Sequence, residues 1–200
     1  MAFKEYGNYD AVGLADLVRK KQVSARELLD EAIARTAKVD PQINAVVVKH
    51  YDYAKKQVET GLPDGPFTGV PFLLKDLWAS YAGQLLSNGN RALKEAAIPS
   101  PQDTTLVARF RRAGFVTAGR TNSPEFGSLP TTEPEAWGPT RNPWNLDHST
   151  GGSSGGSAGG GSTSGGSSGG GGGTALVCSA SPGSWLPGSA CWCSGRSGRG

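Results

Sequence analysis

Residues 1–158 predict an α/β fold, and three observations carry that expectation. Apolar residues recur at helical spacing through much of the first 60 positions. Short apolar runs at Asn44–Val48, Val70–Leu74 and Phe115–Ala118 read as strands, and a helical segment from about Thr104 separates the last two. Strand, helix, strand alternation is the pattern of a sheet layered with helices.

The first helix follows from the apolar face of Leu14, Leu17 and Val18. The second opens with Ser24-Ala25-Arg26-Glu27, a capping box in which serine and glutamate satisfy each other's orphan amides. Its stripe is Leu28, Leu29, Ala32 and Ile33, and Val39-Asp40-Pro41 predicts its end, because proline disfavours helix in the residue before it. After the Asn44–Val48 strand, Tyr51 to Thr60 returns to helical pattern and the turn-rich Leu62-Pro63-Asp64-Gly65-Pro66 closes it. Val70–Leu74 then places Lys75 at a strand end, where a rigid element aims a side chain into a cleft. The helix from Thr104 through Leu106, Val107 and Phe110 reaches Gly114, a plausible C-cap, and Thr121 to Pro143 reads as an ordered, irregular loop.

Composition bounds the function classes. No apolar run approaches the roughly 20 residues of a membrane span, and the amino terminus lacks the apolar core of a secretory signal, so the expected location is the cytoplasm, with no membrane partner. Of the net charge of +3, two units come from Arg196 and Arg199, in a tail without acidic residues. Residues 1–147 are therefore close to neutral and carry no basic stripe interleaved with aromatics, which argues against a nucleic-acid partner. Cys178, Cys191 and Cys193 form neither a disulfide framework nor a usual zinc spacing, so no metal site is expected.

Two segments carry candidate chemistry. Gly69-Val70-Pro71-Phe72-Leu73-Leu74-Lys75-Asp76 sets a lysine beside apolar neighbours, and burial there favours the neutral amine that a base must be, while Asp76 acts in the opposite direction. A lone lysine after an apolar run is ordinarily a solvated strand end. Thr150-Gly151-Gly152-Ser153-Ser154-Gly155-Gly156-Ser157-Ala158 supplies hydroxyls on a backbone free to adopt positive φ, although alone it also reads as a linker. Gly138-Pro139-Thr140-Arg141-Asn142-Pro143-Trp144-Asn145, just upstream, is not something a linker needs.

Taken together, these strings resemble the amidase signature family. The resemblance implies an α/β/α layered fold around a mixed sheet, present here only as its N-terminal part, and amide hydrolysis by a Ser-Ser-Lys arrangement without histidine or cofactor. It carries Lys75 over as the base and Ser153 as the bridging serine, which the family holds on a cis peptide bond and uses to relay a proton. Thr121-Asn122-Ser123-Pro124-Glu125-Phe126-Gly127 resembles a family segment lining the site, and equally reads as a structural turn. Thr131-Thr132-Glu133-Pro134-Glu135-Ala136-Trp137-Gly138 looks most like the 6-aminohexanoate-cyclic-dimer hydrolase branch. The expected partner is a small linear or cyclic amide, and the expected full-length assembly a homodimer. Alternatives are a protein like the A component of glutamyl-tRNA amidotransferase, against which the Glu-Pro-Glu-Ala-Trp string argues, and a non-catalytic truncated fragment or binding module.

The resemblance stops near Ala158. The family's nucleophile lies about two dozen residues beyond the bridging serine, in a glycine-serine loop after an alanine-rich helix. That count reaches Val177 here, with no matching motif. Residues 1–158 are therefore expected to be the N-terminal part of an amidase domain and 159–200 a Gly/Ser-rich tail, disordered or read out of frame. Gly159–Gly173 predicts a flexible linker and excludes a helix. Ser184, in Pro182-Gly183-Ser184-Trp185, only faintly echoes the family's continuation, and the chain as it stands is expected to be inactive.

Overall fold

The computed structural model describes residues 3–164 and 173–175. Val177, Ser184 and the three cysteines lie outside the described residues, as does most of the tail expected to be disordered or out of frame. Six helices are described: α1 (Ala11–Arg19), α2 (Ala25–Ile43), α3 (Tyr51–Thr60), α4 (Arg91–Ala96), α5 (Thr105–Arg112) and α6 (Gly155–Ser164). The strands are β1 (Val46–Lys49), β2 (Pro71–Lys75), β3 (Val116–Thr121), β4 (Arg141–Asn142), β5 (Asn145–Ser149) and β6 (Gly173–Ala175).

The sheet has strand order β1-β3-β2-β6 and is mixed. β3 runs parallel to β2, and β1 and β6 are antiparallel to their neighbours. The parallel pair requires a crossover, which includes α5, as βαβ geometry demands. Both faces are covered. Leu73 packs with Leu14, Leu28, Leu29 and Val116 on one side, whereas Phe72 and Leu74 pack with Ala79, Tyr81 and Val107 on the other. Because successive strand residues point to opposite faces, Lys75 falls on the same side as Leu73. That is the side where α6 meets α2, β2 and β3.

The capping box at Ser24 and Glu27 is present, as the sequence predicts. Helix α2, however, runs through Pro41 to Ile43. The proline costs one helical hydrogen bond, and Asp40 compensates at the exit. Its carbonyl accepts from Asn44 N at 2.8 Å, and its Oδ1 accepts from Ala45 N and Val46 N, each at 2.8 Å. Asn44, in the left-handed region, ends the helix.

Strand β3 continues to Thr121, beyond the expected Ala118, because all six of its residues are buried and its last three, Gly119, Arg120 and Thr121, pair with both β1 and β2. Glycine and arginine carry little strand propensity of their own, so position in the sheet overrides it. The expected loop over Thr121–Pro143 contains a 3-10 turn at Glu125–Gly127, and its end joins the β4–β5 hairpin. The Asn142-Pro143-Trp144-Asn145 string forms that hairpin's turn, with Trp144 82% exposed.

The exclusion of a helix after Ala158 is overturned: α6 extends through Gly159 to Ser164. Glycine's entropy disfavours this helix locally, but packing that only glycine permits sustains it. A Cβ on Gly156 would sit 2.6 Å from the carbonyl oxygen of Asn122, and Gly156 N donates to that oxygen at 3.2 Å. Close backbone approach to the sheet is what the missing side chain allows.

Candidate functional site

The end of β2 and the start of α6 bring together what the sequence set 78 residues apart. Lys75 Nζ donates to Ser153 Oγ at 2.8 Å and to Ser154 Oγ at 3.0 Å. Lys75 and Ser153 are half-buried and Ser154 is exposed. The peptide bond between Gly152 and Ser153 is cis. Burial holds the Lys75 amine below its usual value, which favours the neutral form.

The glycine-serine loop is fixed at several points. Thr132 Oγ1 donates to the Gly151 carbonyl at 2.8 Å and accepts from Gly155 N at 3.0 Å. Thr121 Oγ1 and Ser157 Oγ share a hydrogen bond of 2.8 Å. Gly152 presses against the backbone of Thr131, where a Cβ would come within 2.8 Å of a carbonyl oxygen. A serine pair on so restrained a loop keeps its position relative to the lysine.

Asp76 does not oppose the lysine as its sequence position suggests. Its fully buried carboxylate accepts from Ser87 N at 3.0 Å, from Gly89 N at 3.2 Å and from the Ser87 hydroxyl. It is spent on organising the loop after β2.

Beneath the site lies Arg120, also fully buried, donating to the carbonyls of Ala79 at 2.8 Å and Lys75 at 3.3 Å. Burial lowers its pKa to about 10, against the raising effect of Asp76. His50 is buried beside it, and desolvation together with the Arg120 charge pushes the imidazole down to about 4.

The Thr121–Gly127 segment supports the site from the sheet side. Asn122 Nδ2 donates to the Gly138 carbonyl and to Thr140 Oγ1, each at 2.9 Å, and Ser123 Oγ donates to the Asp76 carbonyl at 2.9 Å. Sequence reasoning missed Ser87 and Arg120, and it gave Thr132 and Ser154 no role of their own within the strings that contain them. The Ser87-Asn88-Gly89-Asn90 run carries turn chemistry that marks a folded-back loop, but nothing local announces its carboxylate partner. Among the described residues there is no group of three or more His, Cys, Asp or Glu suited to a metal ion, and no helix long and apolar enough to cross a membrane.

A lysine bonded to two hydroxyls, with its ammonium form disfavoured by burial, can take a proton from an attacking hydroxyl and return it to a leaving amine. The family described as Amidase matches residues 27–160. The chain is 47% identical over 144 residues to the 6-aminohexanoate-cyclic-dimer hydrolase of Paenarthrobacter ureafaciens, covering 72% of this chain and 29% of that one. It is 37% identical over 140 residues to the A component of the glutamyl-tRNA(Gln) amidotransferase of Halothermothrix orenii, covering 70% and 28%. Among solved structures, a 6-aminohexanoate cyclic dimer hydrolase superposes with a TM-score of 0.74 at 46% identity, over 78% of this chain and 32% of that chain. The chain thus spans less than a third of the length of these relatives.

Proposed function

The chain belongs to the amidase family, and from that premise we propose that it carries the proton-handling half of an amide-hydrolysing site, with Lys75 as base and Ser153 as relay. The observation that carries this reading is the 2.8 Å hydrogen bond between Lys75 Nζ and Ser153 Oγ, at a lysine whose charged form burial disfavours. In the reaction so read, neutral Lys75 draws a proton through Ser153 from a nucleophilic hydroxyl, which adds to the amide carbonyl. The tetrahedral oxyanion collapses as the proton returns along the same path to the departing amine. Water then releases the acyl group, and no cofactor takes part.

The substrate class is a small linear or cyclic amide. The Thr131–Gly138 string and the higher identity to the cyclic-dimer hydrolase than to the amidotransferase component support it. The nucleophile is unassigned, because no residue matches the family's nucleophile motif: two dozen positions past Ser153 stands Val177, outside the described residues. The composition after Ala158, rich in Gly, Ser, Cys and Trp without acids, supports a shifted reading frame in that region.

The test is to express the gene with the frame shifted by one base, in either direction, after the codon of Ala158, and to follow amine release from linear and cyclic small amides. Amine release that disappears in Lys75→Ala and Ser153→Ala is the expected result. Hydrolysis undiminished in Lys75→Ala overturns the reading.

A further inference from the structure

Trp78 and Phe126 hold bulky side chains on left-handed backbone, at φ 54° and 49°. That conformation is costly for such residues and persists only where the surrounding structure enforces it. The rings are nonetheless not core: they stack with centroids 6.1 Å apart and planes 29° apart, on residues 64% and 44% exposed. Asn88 enforces both conformations. It is buried and itself left-handed, its Oδ1 accepts from Trp78 N at 2.8 Å, and its carbonyl accepts from Phe126 N at 2.8 Å. The backbone amides of its neighbours Ser87 and Gly89 donate to the Asp76 carboxylate. Leu77 lies against Gly127, where a Cβ would come within 2.6 Å of its Cδ2. The pair is thereby fixed to the turn that follows Lys75, and three residues of chain keep the Trp78 Cα within about 11 Å of the Lys75 Cα. Packing does not account for strain held on rings that stay in water, whereas a rigid apolar face for a ligand does. The adjacent carboxylate of Glu125 is engaged by the Asn90 side chain, so the face suits a neutral group.

We propose that the Trp78–Phe126 stack is the surface on which the hydrocarbon part of the amide lies, selecting amides that carry a ring or a chain of methylenes over the shortest ones. This rests on the reading of Lys75 as the base of an amide-hydrolysing site. Asn88 is the positioning residue, because it holds both rings by their backbones and touches the ligand with neither bond.

The experiment titrates the nitrogen-labelled full chain with ε-caprolactam, and with acetamide as the short amide, following the indole N–H resonances. The Trp78 resonance is identified by its loss in Trp78→Phe. The expected result is a saturable shift at Trp78 with caprolactam and none with acetamide, and binding about 10-fold weaker in Phe126→Gly. Trp78→Phe, followed at the Gly127 amide, is expected to keep the binding that Trp78→Ala loses. Phe126→Gly is also expected to melt no lower than the parent, because glycine adopts the left-handed conformation without a steric penalty. A melting temperature lower by more than about 5 °C in that variant makes the pair a packing element and overturns the proposal. So does an unmoved Trp78 resonance, or an equal shift at Trp137 and Trp144, which marks non-specific contact. A parallel titration of the Lys75 side chain by carbon NMR keeps the two readings apart. An amine titrating below its ordinary value with Trp78 unmoved removes this proposal and leaves Lys75 as base. A saturable Trp78 shift with the amine at its ordinary value removes the base and leaves the binding surface.

Discussion

Trp137 donates its indole Nε1–H to the hydroxyl of Ser87 at 2.8 Å, and that hydroxyl serves the buried carboxylate of Asp76. The Glu-Pro-Glu-Ala-Trp string is thereby tied, through Ser87, 50 positions away in sequence, to the residue next to Lys75. Lys94 adds to the tie, its Nζ 4.0 Å from the Trp137 ring centroid and donating to the Ala136 carbonyl at 2.6 Å. Trp137→Phe keeps the ring over Lys94 and removes only the donor. It is expected to cost about 1 kcal/mol, and Ser87→Ala, which deprives the buried carboxylate itself, about 2 to 3 kcal/mol. Urea unfolding midpoints check both, and equal costs would separate Trp137 from the Asp76 network.

Helix α6 yields a contrast between two glycines of opposite consequence. Gly156→Ala forces a methyl against the Asn122 backbone, which cannot move without breaking β3 pairing, and is expected to destabilise by about 3 kcal/mol or more. At Gly161 an added Cβ meets open space within the same helix, so Gly161→Ala is expected to stabilise by about 0.5 to 1 kcal/mol through helix propensity. Thermal melts of the two variants decide the matter. A neutral Gly156→Ala would mean that α6 does not lie against Asn122.

The sequence predicts the α/β class, the capping box and the strand that ends at Lys75, because periodicity and capping are local signals, whereas the association of Lys75 with Ser153 is implied only by the resemblance to the amidase signature family. Helix α6 is not legible there, for a physical reason. A glycine tract reads as linker by propensity, and only the Asn122 and Thr132 backbone and hydroxyl partners, distant in sequence, make it the segment that fits. The same holds for Arg120, whose burial beneath the lysine depends on the carbonyls of Lys75 and Ala79 on another strand and its loop. Asp76 shows the converse. Adjacent charge in sequence suggests a brake on Lys75, but alternation along an extended backbone sends neighbours to opposite faces.

His50 predicts acid sensitivity. Its Nε2 is buried without a partner among the described residues, and desolvation with the Arg120 charge holds its pKa near 4, against an ordinary 6.5. Between those values the unfolded chain binds the proton and the folded chain does not, so stability falls as pH drops from 6.5 toward 4. The full loss is roughly 3 kcal/mol. His50→Gln is expected to flatten the pH dependence of the melting temperature over that window. A variant as acid-sensitive as the parent would place the titration on another group.

Lys75 predicts a dependence of the opposite kind, at high pH. Burial lowers its pKa, so the unfolded chain carries a proton that the folded chain gives up in the interval below the ordinary value of 10.5. Its contribution to stability is therefore unfavourable at neutral pH and is relieved as pH rises through that interval. Lys75→Met keeps the aliphatic stem packed at the end of β2 and removes the titration. The difference in unfolding midpoint between parent and variant is expected to shift in favour of the parent from pH 8 to above pH 10. A difference that stays constant over this range would show that the amine keeps its proton in the fold. A protonated amine cannot receive the hydroxyl proton of Ser153, so this stability measurement bears directly on the chemistry proposed for the site.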